Sequence, residues 1–125
     1  MPGKRTSKRD FERFQRSFRT WQRRLGLLDW RVVFVRAQLG RDYAQIHMDH
    51  AGCIATVALA DSVEEDGRLG FNPVVHGRHE ALELLLGGLV WLAESRAVSG
   101  QEINTETHRI IRRLENLLTK SEARP

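Results

Sequence analysis

Along the first segment, apolar side chains recur at spacings of three and four: Phe11, Phe14, Phe18, Trp21 and Leu25. That period places them on one face of an α-helix. Ser7 reads as the N-cap, Asp10 three residues on completes a capping box, and Gly26 marks the end. Arg9, Arg13, Arg16 and Arg23 fall off the stripe. The segment therefore predicts a helix that packs by an aromatic face and shows arginines on the other. Residues 1–6 ahead of it read as a disordered tail.

Three strand patterns follow. Residues 30–37 are β-branched and aromatic, 43–48 alternate, and 53–60 are almost wholly apolar and read as the central strand. Turn-like tetrads at 39–42 and 49–52 separate them, and such close spacing predicts an antiparallel meander. Residues 61–70 are acidic and polar and read as a loop. A long helix is expected over about 74–96, with Leu82, Leu84, Leu85, Leu86, Leu89, Val90, Trp91 and Leu92 surrounding it in the manner of a central, buried element. Gly87-Gly88 inside it costs propensity and permits close packing. Ser99 with Glu102 reads as the capping box of a last helix reaching about Lys120, with a stripe of Ile103, Ile110, Ile111, Leu114, Leu117 and Leu118. The order helix, three strands, helix, helix is that of an α+β domain. One domain over 7–120, with short tails at 1–6 and 121–125, suits a chain of 125 residues.

Charge sharpens the first helix. Residues 1–24 hold nine Lys or Arg against Asp10 and Glu12, whereas the remainder has more acidic than basic side chains. A one-sided basic end fits contact with a polyanion such as DNA, or equally a solubilising arm. No run of 18 apolar residues is present, so no membrane partner is expected. A single cysteine, Cys53, excludes an internal disulfide framework and fits a reducing compartment; in an apolar strand it reads as packing.

The informative chemistry opens the long helix: His79-Glu80-Ala81-Leu82-Glu83. His79 and Glu83, four apart, share a helical face, and Glu80 sits about 100° around. The string is one residue short of H-E-x-x-H, in which two histidines bind zinc and the glutamate is the general base. Without a metal, the same residues read as a histidine paired with Glu83 and a Glu80 that complements the helix dipole. His76 shares the face of His79 and reads as a first-turn residue. His47 and His50 flank a turn and lack a third partner.

With that motif in place the chain resembles the minimal zincin metallopeptidases, in particular the small SprT-like proteins of phages. The likeness rests on the basic aromatic first helix, on residues 25–30 (Leu-Gly-Leu-Leu-Asp-Trp) entering the first strand, on the His79-Glu80 helix and on the closing pattern of residues 110–115. It implies a minimal zincin-like domain: N-terminal helix, three-stranded antiparallel sheet, buried motif helix, C-terminal helix. It also implies zinc as cofactor, held by the first motif residue, the residue four on and a third ligand from the last helix. Carried onto this chain, these are His79, Glu83, which stands where the family has its second histidine, and His108, with Glu106 in reserve. Glu80 falls at the position of the glutamate that activates water. The implied protein is an intracellular, cytoplasmic hydrolase of a bacterial cell or its phage, acting on a protein or peptide held near DNA through Arg9, Arg13, Arg16 and Arg23. The competing reading is a zincin scaffold without peptidase activity that binds nucleic acid or a partner protein through the same basic helix. Glu83 favours the second reading and the His79-Glu80 pair the first; neither specifies an oligomeric state.

Overall fold

A computed structural model describes residues 3–95 and 97–122; the tail readings at 1–2 and 123–125 lie outside them. The domain is α+β, with the three helices packed with a three-stranded sheet.

Helix α1 (Lys8–Arg24) is fixed at both ends by local chemistry. The Asp10 N–H donates to Ser7 Oγ at 3.0 Å while the Ser7 N–H donates to Asp10 Oδ2 at 2.9 Å. Gly26 closes the helix in the left-handed region, φ +69°, which glycine adopts without steric cost. Phe14 and Phe18 are fully buried and meet the edge of Phe34 with ring centroids 6.3 and 5.5 Å apart. This face joins α1 to the sheet.

The sheet corrects the expected meander. Strands β2 (Arg31–Ala37), β3 (Ala44–Asp49) and β4 (Ile54–Ala60) lie in the order β2-β4-β3; β4 runs antiparallel to β3 but parallel to β2. The most apolar strand takes the centre, where both of its edges and most of its side chains leave water. Ala55, Val57, Leu59 and Ala60 are buried on it. The six-residue connection 38–43 is long enough to carry the chain past β4 from one edge to the other, since two strand spacings are only about 10 Å. Cys53 precedes the strand rather than opening it; its φ of +52° belongs to the turn from β3.

Lys4 to Thr6 are ordered, contrary to the tail reading. β1 (Lys4–Arg5) pairs antiparallel with β5 (Ser62–Val63). Thr6 is buried, its hydroxyl donates to Ala60 O at 2.8 Å, and the Arg36 guanidinium donates to the Thr6 carbonyl. The expected loop at 61–70 thus holds a short strand and a 3₁₀ turn, Glu65–Gly70.

Helix α2 (Pro73–Glu94) starts at Asn72, whose side chain accepts from the Val74 and Val75 N–H groups, with Pro73 in the first turn. It crosses α1 at Gly77, where a Cβ would stand 2.6 Å from the Phe14 carbonyl oxygen and 2.9 Å from Ser17 Cβ. It runs unbroken through Gly87-Gly88. Ala81, Leu84 and Leu85 are buried, but the expected all-round burial does not hold: Leu82, Leu86, Val90 and Trp91 are exposed. Three neighbours cover most of α2, namely α1, the β3 edge and α3, and they leave one face open.

Helix α3 (Gly100–Glu122) begins with the expected box, Glu102 N–H to Ser99 Oγ at 3.2 Å and Ser99 N–H to Glu102 Oε1 at 3.3 Å. It docks through buried Ile110 and through Glu106, which packs on Gly88. Among the described residues no helix is long and apolar enough to cross a membrane.

Candidate metal centre

The first turns of α2 bring three potential ligands together. His79, Glu80 and Glu83 each offer a ligating atom, all within 4.8 Å of one another. His79 Nε2 lies 3.8 Å from Glu83 Oε2, and both side chains reach solvent. The four-residue spacing produces this approach directly.

Glu80 differs from its neighbours. Its residue is 3% exposed, and its Oε2 has no hydrogen-bond partner. Burial pushes its pKa up to about 9; a hydrogen bond to Glu83, the charge on Glu83 and the charge on Asp42 add to the effect. Without a cation, Glu80 is thus a neutral acid at pH 7, donating to Glu83 and leaving one oxygen orphaned. A buried carboxyl oxygen without a donor is uncommon and costly. A divalent cation beside Glu80 fits these residues: the imidazole of His79 and the carboxylate of Glu83 are ligand types of zinc, and positive charge there would compensate the buried acid of Glu80.

Asp42 and Tyr43, from the connection into β3, complete the surroundings. Tyr43 stacks on His76 with ring centroids 4.6 Å apart. His76 Nε2 accepts the Asn72 N–H at 3.0 Å, and burial, outweighing a bond that the ring donates to the Gly70 backbone and aided by nearby His79, lowers its pKa. His76 is therefore a neutral, structural member of the helix start. Sequence reading placed Asp42 in a turn and gave Tyr43 no role, because only the crossing of 38–43 over β4 carries them to α2. A charged residue ending that connection was the one available signal.

The last helix does not join this group. His108 is exposed, with Nδ1 2.8 Å from Asn104 O of its own helix. Glu106 lies 3.5 Å from Arg109 and packs on Gly88, nine residues beyond His79 and hence about 13 Å further along the helix. The physical reason is the docking residue: Ile110 faces the core, which turns His108 outward.

His50 and His47 form no cluster with a third ligand among the described residues. The His50 ring stacks on Trp91 at 4.9 Å and meets Trp30 edge-on at 5.5 Å, so its role is aromatic packing. These rings border a cleft of about 820 Å³ between α2 and α3, whose lining includes none of His79, Glu80 and Glu83. Arg9, Arg13, Arg16 and Arg23 are all exposed, as the helix period required.

A comparison of the chain with protein-family models, with curated proteins and with solved structures finds no match.

Proposed function

We propose that the protein is a zinc-dependent hydrolase on a minimal zincin-like scaffold, of SprT-like type, acting on peptide bonds. The observation that carries this reading is the orphaned, buried carboxyl of Glu80 beside His79 and Glu83. The helix–strands–helix–helix order of the α+β domain agrees with it. His79 and Glu83 would hold the metal, and their exposure leaves room for a substrate. Zinc bound there would polarise a carbonyl and acidify water. Positive charge at that point favours the ionised form of Glu80, which becomes a base only when the site is loaded. Glu80 then takes the proton of the attacking water and returns it to the leaving amine. A carboxylate in place of a second imidazole lowers the net charge of the centre and weakens the acidification, so slow turnover is expected.

Metal analysis of untagged protein, paired with a casein or peptide cleavage assay, tests the proposal. One equivalent of zinc, lost in His79→Ala, together with cleavage lost in Glu80→Gln, is the expected pattern. Protein that takes up no zinc from a metal buffer overturns it.

A second reading has its own support. His108 stands apart from the ligand group, and four arginines without an ion-pair partner among the described residues line one face of α1. A non-catalytic scaffold binding DNA through α1 predicts binding without metal or cleavage, in the cytoplasm of a cell or its phage-infected state.

A further inference from the structure

Strand β2 lies at one edge of the sheet. The Arg31 N–H donates to Cys53 O and Ala37 O accepts the Asp61 N–H, both at 2.8 Å, so the odd-numbered residues of β2 turn their backbone groups toward β4. Backbone direction alternates along a strand, and Val32, Phe34 and Arg36 therefore turn theirs the other way. Among the described residues no strand pairs with that side and no hydrogen bond reaches the backbone of these three. A regular, largely apolar strand thus presents an open ladder, with Val33 45% exposed beside it.

The surroundings of this edge are cationic. Helix α1 runs antiparallel alongside β2: the Arg36 guanidinium donates to Thr6 O just ahead of the helix, and the Gln22 amide near its end donates to Trp30 O at 3.1 Å. One flank of α1 belongs to α2, where the Ser17 hydroxyl donates to Val74 O at 2.6 Å. Arg19 stands about 160° around the helix from Ser17, on the flank toward the open edge. Its guanidinium lies 4.9 Å above the Phe34 ring, and it borders a hollow of about 320 Å³ with Glu12, Gln15, Arg16 and Arg23. A guanidinium stacked by its face keeps its N–H edge for an anion. In this hollow three guanidinium groups stand against one carboxylate, and exposed Arg31 adds a further cation where the strand begins.

We propose that the open edge of β2 docks an acidic, extended segment of another protein, which adds to the sheet as a further strand. The unpaired N–H and C=O groups specify the backbone of the partner, because only a strand meets them one after another. The cations specify its side chains. On the α1 side of the added strand, carboxylates meet Arg19 and its neighbours; on the opposite face, apolar side chains meet Val33 and Val35. Alternating acidic and apolar residues are therefore the fitting pattern. A second copy of β2 is the poorer occupant, since a two-fold axis at this edge brings the same guanidinium groups of both copies together. The inference uses the edge of the sheet away from β3 and does not depend on zinc.

A short labelled peptide alternating glutamate and valine tests it, by fluorescence anisotropy at low salt and by amide hydrogen exchange followed by NMR. Saturable binding is expected, with exchange at Val32, Phe34 and Arg36 slowed roughly tenfold or more in the complex. A peptide alternating lysine and valine should not bind. N-methylation of alternate peptide amides should abolish binding in the register whose N–H groups point at β2, and spare it in the register whose N–H groups point away. Arg19→Gln should weaken binding roughly tenfold; Arg23→Glu, which leaves the stack on Phe34 in place, should do the same, with circular dichroism confirming the fold of both. A glutamate–valine peptide that does not bind overturns the proposal. So does binding indifferent to N-methylation in both registers, which marks general attraction of a polyanion, or protection that falls on β3 instead of Val32, Phe34 and Arg36.

Discussion

Glu80 concentrates the site's physics in one carboxyl group. Its ordinary pKa of 4.5 is raised to about 9, first by burial and then by Glu83 and Asp42. A carboxyl that holds its proton more tightly when folded stabilises the fold fully below pH 4.5. That contribution is lost progressively as pH rises toward 9, because the unfolded chain has already released the proton. Metal-free protein should therefore lose stability across this window, with a limiting slope of about 1.4 kcal/mol per pH unit. Urea denaturation at a series of pH values in chelator reads the slope directly. Glu80→Gln keeps the shape and the neutral charge, so it should flatten the profile and be the more stable protein at pH 8. An unchanged profile in that variant would assign the effect to another group. Under the proposed function a second consequence follows: loading zinc at pH 7 must displace the Glu80 proton. Calorimetric titration in buffers of different ionisation enthalpy should detect that release, and Glu80→Gln should lose it.

At the scale of the element, α2 is built from close approaches. The Asn72 cap orients its first turn, and Gly77 lets it cross α1 with backbone nearly touching backbone. Gly77→Ala improves helix propensity but drives a methyl into the Phe14 carbonyl and Ser17, neither of which can swing aside as a long side chain would. The close contact should win, destabilising the protein by about 1–3 kcal/mol in urea denaturation. Removal of the Asn72 cap by Asn72→Ala should cost about 1 kcal/mol by the same measurement. Such features differ in how far the sequence discloses them. Both capping boxes were legible, because Ser7 with Asp10 and Ser99 with Glu102 are local and their chemistry depends on nothing distant. Apolar central β4 was legible from composition alone. The parallel pairing of β2 with β4 was not, because strand spacing says nothing of which edge a six-residue connection reaches. The same crossing hid Asp42 from the site. His79 and Glu83 were legible as a pair by helical spacing, whereas His108 depended on the rotation of α3, which Ile110 decides. The open face of α2 was hidden for a related reason: a helix apolar all round reads as buried until the number of its neighbours is known.

Over the whole molecule, charge is segregated: α1 carries the basic excess on its outer face, while His79, Glu80 and Glu83 lie on α2. Two of the α1 arginines are held over aromatic rings, Arg19 above Phe34 at 4.9 Å and Arg24 above Trp21 at 4.4 Å. They are tied to the packing of the helix. Arg9, Arg13, Arg16 and Arg23 are exposed and have no ion-pair partner among the described residues, and Arg9, Arg13 and Arg16 border a shallow hollow with Lys8 and Glu12. Guanidinium groups in that arrangement suit phosphate oxygens, but a single amphipathic helix packed by its aromatic face offers no reader of base edges. Double-stranded DNA should therefore bind weakly, without sequence preference, and with affinity falling steeply as salt increases. Fluorescence anisotropy with unrelated duplexes measures all three properties. Serine at all four positions should abolish binding, or lower the slope of log affinity against log salt by roughly 3–4 if residual binding persists. The fold should be unaffected, because none of the four contributes to the buried face. The quadruple variant separates charge from stability: a large drop in its thermal midpoint would mean that these arginines hold the domain together. Binding by the wild type that persists unchanged at about 0.5 M salt would remove phosphate neutralisation as the driving force. That second result would leave α1 as a packing element whose charge serves solubility.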